Sequence, residues 1–283
     1  MGLLPLMGAS MKLNALSSFS EKLENTDTMP LLFLGHGNPM HAIQQDEFSE
    51  GWLKTAKSLP VPKAILCISA HWETAGTYVT AMPKPKTIHD FGGFPQELFN
   101  VQYPAPGSPE LAMQAKELIK KTSVEMDHEW GLDHGTWSVI KHMYPNADIP
   151  VIQMSLDYRK DAAWHYALAK ELAALRQKGI LIVGSGNIVH NLRLADWNAK
   201  GGSDWAVVAN EKMKQHILGN DHQPLINYSS MGKEVNMAIP SPDHYLPLLY
   251  ILGLKTEKEQ VSLFNDKTEL GSISMTSVKI SNV

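Results

Sequence analysis

Short, almost wholly apolar runs that break off at glycine or histidine are what most constrain this chain. Leu31–Leu34, Ala64–Ser69, Pro150–Ser155 and Ile180–Val183 are the clearest, with Tyr78–Met82 and Ser272–Lys279 as further candidates. A strand that is apolar on both faces must be covered on both, as in parallel sheets layered with helices. The intervening segments supply those helices. Pro109–Lys121 opens on Ser108 as cap, carries Glu110 in its first turn and closes on Lys120 and Lys121, matching the helix dipole. Asp161–Lys178 repeats Trp164, Leu168, Leu172 and Leu175 at helical spacing and stops at Gly179. Asp204–Leu218 and His244–Leu252 are two more. Strands alternating with helices predict an α/β fold, a single domain whose largely parallel central sheet is flanked by helices.

The 283 residues, 43% of them hydrophobic, are enough for one such core, and no repeat or linker divides them. The catalytic domain is expected over 29–283. Residues 1–28 read as a loosely ordered N-terminal extension: mildly apolar to Met11, then polar with Glu21, Glu24 and Asp27. They lack the basic and apolar order of a secretory leader, which predicts a cytoplasmic protein. A net charge of −4 without a basic stripe argues against nucleic acid as a partner. No apolar stretch has the length of a membrane span. Cys67, the only cysteine, lies inside an apolar run and predicts a buried thiol. Gly184-Ser185-Gly186-Asn187-Ile188-Val189 follows a strand but lacks the third glycine of a dinucleotide-binding turn. Nothing in the sequence sets the oligomeric state.

Twelve histidines are present. His41, His142, His165, His216 and His222 lie in amphipathic or polar stretches and read as surface or satisfied residues, while His89 and His128 carry no assignment. Five stand apart. His36 and His71 directly follow apolar runs, and His190 follows a third. His134 sits in Leu132-Asp133-His134-Gly135, and His244 in Pro242-Asp243-His244-Tyr245 ahead of an apolar helix. Any one of these taken alone reads as structural. Several at strand ends, where open α/β sheets bind their ligands, point to a metal site at the carboxyl ends of the strands. Imidazole suits zinc, iron, copper or nickel rather than magnesium or calcium. A three-imidazole site with open positions can hold Zn(II) with an activated water, or Fe(II) with room for a substrate and dioxygen.

Seven segments in order carry a family resemblance: Leu34-Gly35-His36-Gly37-Asn38-Pro39-Met40, Ser69-Ala70-His71-Trp72, His89-Asp90-Phe91-Gly92-Gly93-Phe94-Pro95, Tyr103-Pro104-Ala105-Pro106-Gly107, Leu132-Asp133-His134-Gly135-Thr136-Trp137, Ser185-Gly186-Asn187-Ile188-Val189-His190-Asn191-Leu192 and Pro242-Asp243-His244-Tyr245-Leu246-Pro247. From about Pro30 to Lys279 the chain resembles the class III extradiol ring-cleavage dioxygenases of the LigB superfamily, in the 4,5-DOPA dioxygenase extradiol branch. Asn38 departs from the serine many relatives carry there.

The resemblance implies His36, His71 and His244 as ligands of one non-haem divalent metal, Fe(II) for activity or Zn(II) as bound in the resting protein. Asp243 is a weaker rival to His244. His190 would be the acid/base that takes a proton from one catechol hydroxyl and later returns it, or a fourth ligand at rest. His134 would hydrogen-bond the substrate, and Phe91 and Phe94 would wall the pocket. The implied partners are a small catechol, DOPA-like or caffeate-like, and O2, with a ring-opened semialdehyde as product. The alternative is a zinc-dependent hydrolase using a water bound to three histidines. A metal-binding scaffold without catalysis leaves His134 and His190 unexplained.

Overall fold

In the computed structural model, which describes residues 26–282, the apolar runs form the middle of one mixed sheet. Its strands are β1 (Leu31–Gly35), β2 (Ala64–Thr74), β3 (Thr77–Thr80), β4 (Val124–Asp127), β5 (Val151–Asp157), β6 (Ile180–Gly186), β7 (Gln260–Phe264) and β10 (Ser277–Ser281). A separate two-stranded ribbon joins β8 (Thr268–Glu269) to β9 (Ile273–Ser274). The order across the main sheet is β4-β3-β5-β2-β6-β1-β10-β7. Strands β5, β2, β6 and β1 are mutually parallel, with β10 antiparallel to β1 on one side and β3 antiparallel to β5 on the other.

The helices of eight or more residues are α1 (Glu47–Lys57), α2 (Pro109–Leu118), α3 (His134–Met143), α4 (Ala162–Ala169), α5 (Asp204–Leu218) and α6 (Leu246–Leu254). They explain why the central strands are apolar throughout. Leu31, Phe33, Leu66, Ile68 and Ile182 point into a core shared with α2, α4, α5 and α6. Their alternating neighbours Leu32, Leu34, Ile65, Cys67 and Val183 pack against Trp52 of α1 and Trp137 of α3. Cys67 is buried as predicted, and burial pushes its thiol up, so it stays protonated. No described helix is long and apolar enough to cross a membrane.

Several boundaries differ from expectation. The strand expected over Ala64–Ser69 continues to Thr74, so His71 lies within β2 rather than behind it. Asp161–Lys178 is not one helix: α4 ends at Ala169, Lys170–Leu172 tightens to a 3₁₀ turn, and Ala173–Arg176 resumes the α form. Leu168, Leu172 and Leu175 still enter one core, so the apolar spacing survives the tightened turn. Ser272–Lys279 is divided between β9 and β10, and α6 starts at Leu246, leaving His244 in the turn before it. Strands β4 and β7 carry no continuous apolar run because they form the sheet's two edges. The segment after β6 opens no α-helix, in keeping with the incomplete glycine pattern. Of the predicted N-terminal extension, residues 1–25 lie outside the described residues. Thr26 N–H donates to Gln177 O at 2.8 Å.

Two polar clusters fasten the frame around β1. Arg176, 2% exposed, donates from Nε to Met29 O at 2.8 Å and from Nη1 to Leu254 O at 3.2 Å, and pairs with buried Glu259. Removing one partner of a buried pair leaves the other charge uncompensated. Glu259→Gln is therefore expected to destabilise the fold by about 3 kcal/mol in urea denaturation. An unchanged midpoint would show that the pair contributes nothing net.

The second cluster follows the turn after β1. Buried His41 stands 2.6 Å from Asp46 and 2.9 Å from Glu269, joining the start of α1 to the β8–β9 ribbon. Burial alone would lower its pKa, but the two carboxylates outweigh it and raise His41 to about 9. A raised histidine stabilises fully below its unfolded value and ceases to as pH climbs through the folded one. The stability gap between wild type and His41→Gln is thus expected to be about 3 kcal/mol at pH 6 and to shrink towards pH 10. Paired urea titrations at the two pH values measure it, and a gap that does not change with pH would contradict the charged clamp.

Candidate metal centre

His36, His71 and His244 meet where the parallel strands end. His36 directly follows β1, and its N–H donates to Gly186 O at 3.2 Å, extending the β1–β6 pairing by one residue. His71 lies inside an irregularity in β2: Ile68 pairs with Met154 and Glu73 with Leu156, so five steps along β2 match two along β5. His244 is brought in by backbone contact. Asn187 N–H donates to His244 O at 2.9 Å, and a Cβ on Gly186 would stand 2.1 Å from that oxygen. Only glycine permits that approach.

Each of these rings is held at Nδ1. The Ser185 hydroxyl donates its one proton to Gly135 O, so it accepts from His36 Nδ1–H at 3.0 Å. Asp243 accepts from His244 Nδ1–H, which places the rival carboxylate behind that ring. His71 Nδ1 stands 3.2 Å from Asp90 Oδ2. The Nε2 atoms of His36 and His71 face each other, and His244 is close to both. His36 and His71 Nε2 are 3.3 Å apart, and one ligand atom from each of the three residues falls within 4.8 Å of the others. Burial, then the neighbouring imidazoles, holds His36 well below its ordinary pKa. Burial lowers His244 to about 4 against the pull of Asp243. For His71 the lowering by burial is outweighed by Asp90 and Asp133, and its pKa is raised. Convergent imidazole lone pairs backed by carboxylates are the donor set a divalent cation requires, so the residues fit a bound metal.

His134 and His190 stand beside this trio. His134 is the first residue of α3, behind Asp133, which caps the helix by accepting from Thr136 N–H at 3.0 Å. Asp133 is fixed in turn by Ser69 Oγ–H at 2.7 Å and Gln153 Nε2–H at 2.6 Å. The rings of His134 and His71 lie 3.9 Å apart. His190 stacks on His244, with centroids 3.5 Å apart and planes 8° from parallel. Burial, and then His244, lowers His190 to about 2, so its ring is neutral.

All five predicted histidines line one cavity of about 490 Å³, together with Phe91 and Phe94. Phe91 meets His134 edge-on at 5.4 Å. Exposed Leu192 and Trp197 stand at its mouth. Asn38 borders it but caps the following turn, accepting from Met40 N–H at 2.8 Å. Sequence reasoning missed Ser185, Asp90 and Trp197. The first two sit inside segments already singled out, Ser185 beside Gly186 and Asp90 beside His89. Trp197 had no signal at all.

The chain is similar to known proteins along most of its length. The chain is 48% identical over 257 residues to the Escherichia coli K12 protein named 4,5-DOPA dioxygenase extradiol, covering 89% of this chain and 94% of that one. A Beta vulgaris protein of the same name is 36% identical, covering 88% and 96%. An uncharacterized protein of E. coli K12 with a solved crystal structure superposes with a TM-score of 0.79 at 44% identity, covering 89% of this chain and 100% of that one. Residues 29–278 match the family described as the catalytic LigB subunit of aromatic ring-opening dioxygenase. The two relatives named as dioxygenases do not favour the hydrolase alternative. The chain belongs to the LigB family of aromatic ring-opening dioxygenases, as its seven motifs predict.

Proposed function

We propose that the protein opens the ring of a DOPA-like or caffeate-like catechol beside its hydroxyls, consuming O2 and releasing a semialdehyde. His36, His71 and His244 would hold one divalent metal, Fe(II) for turnover and Zn(II) as the ion carried at rest. Dioxygen is a triplet and a catechol a singlet, and bound Fe(II) supplies the redox chemistry that overcomes this mismatch, whereas d¹⁰ Zn(II) cannot. The observation that carries the reading is the set of three convergent imidazoles with engaged Nδ1 atoms, at the floor of a cavity walled by Phe91 and Phe94.

The remaining side chains take roles that their placement supports. His190 accepts the proton of one catechol hydroxyl and returns it later in the reaction. Its stacking on His244 favours this role over a fourth ligand position. Imidazole lone pairs lie in the ring plane, and two nearly parallel planes 3.5 Å apart share no point close to the rings at which both could aim. His134 hydrogen-bonds the other substrate oxygen, and Phe91 and Phe94 hold the aromatic ring. A cytoplasmic, reducing location suits both Fe(II) and the single buried thiol.

Protein stripped of metal, reloaded anaerobically and given DOPA or a simpler catechol is expected to take up O2 with Fe(II) and not with Zn(II), forming a yellow product. Iron bound without uptake across a catechol panel would return the hydrolase to favour. Among variants, His244→Ala is expected to lose the metal. His190→Ala is expected to keep it while turnover falls by about 10²–10⁴-fold. Equal metal loss in both would make His190 a ligand.

A further inference from the structure

The loop His89–Pro95 supplies Phe91 and Phe94 to the cavity, but its acid has no part in that chemistry. We propose that Asp90 is a positioning residue that braces a metal ligand, His71, and a substrate-side histidine, His134, with one carboxylate oxygen each. The inference rests on the reading of His71 as a ligand. Asp90 Oδ2 stands 3.2 Å from His71 Nδ1. Oδ1 accepts from His134 N–H at 2.9 Å. It also stands 3.0 Å from buried His134 Nδ1, at ion-pair distance but out of line for a hydrogen bond, so its pull on that ring is electrostatic. The Asp90 backbone faces solvent, yet its side chain is only 20% exposed because it turns inward between the two rings.

The loop is tied to the segment that carries His134. Ile88 N–H donates to Leu132 O at 2.7 Å, and Trp137 Nε1–H donates to Ile88 O at 2.7 Å. Loop, α3 and β2 therefore share one carboxylate, and moving it disturbs the metal and substrate sides together. The tautomer argument makes the role specific. A carboxylate offers only acceptors, so both Nδ1 atoms can keep their protons and both Nε2 atoms keep their lone pairs for the cavity. An asparagine amide presents one oxygen and one NH₂ group. The NH₂ must then face one of the two rings, whose Nδ1–H would have to move to Nε2.

The test measures Zn(II) binding to the metal-free protein by competition with a chromophoric chelator. Asp90→Asn is expected to weaken binding about 10–100-fold, the range for loss of a partner behind a ligating histidine. Asp90→Glu, which keeps the carboxylate, is expected to recover part of that loss. His134→Ala is expected to bind Zn(II) more tightly than Asp90→Asn, since Asp90 still stands behind His71. Wild-type affinity in Asp90→Asn, or an equal loss in Asp90→Asn and Asp90→Glu, would overturn the brace. His71→Ala separates the two readings: unchanged Zn(II) binding there would remove His71 from the ligand set. Loss in His71→Ala alone would reject only the role given to Asp90.

Discussion

The His36 and His71 Nε2 atoms, 3.3 Å apart, cannot both carry protons, and burial makes His36 the one that goes without. Each ring is turned so that its proton sits on the far nitrogen, against Ser185, Asp90 or Asp243. Burial disfavours a charged imidazole at His36 and His244. A divalent cation between the three rings would be favoured by the same convergence that disfavours further protons there. The same burial requires the partners to be placed accurately, because a misplaced acceptor would leave a buried N–H unpaired. Much of the local sequence serves that placement, including a serine whose only proton is committed elsewhere.

Placement of this kind depends on the sheet. β1 and β6 run side by side and release His36 and Gly186 at the same level, and Gly186 admits the His244 carbonyl against its bare Cα. β2 carries His71 two pleats beyond Cys67, on the face where Cys67 packs with Leu32 and Leu34, inside the irregularity between Ile68 and Glu73. α3 starts at His134 under the Asp133 cap, and Asp133 is itself anchored to β2 and β5 through Ser69 and Gln153. A helix cap and a core hydrogen-bond network thus become part of the site.

The central strands and the five histidines were legible because they obey local rules: continuous apolar runs, strand ends and motif segments. The edges of the sheet were not. β4 reads Val-Glu-Met-Asp and β7 is only half covered, so neither carries the apolar signature of a strand buried on both faces. The site's supports were hidden for a different reason. Ser185 and Asp90 matter through contacts with residues 149 and 19 positions away, His36 and His71, and no local pattern announces such partners. His41 shows the converse. It was placed among surface or satisfied residues, and its satisfaction comes from Asp46 nearby and Glu269 far along the chain.

The strand order also dictates when the centre can come into being. β1, which delivers His36, is flanked by β6 and by β10, the strand at Ser277–Ser281. The third imidazole arrives only with His244. During synthesis the first two imidazoles therefore emerge long before the third, and β1 lacks one of its neighbours until almost the whole domain has left the ribosome. Such long-range pairing is slow to form and leaves strand edges open in the interim. With His36, His71 and His244 as the proposed ligands, ion capture would be a late event in the life of the polypeptide, after almost the whole domain has been made.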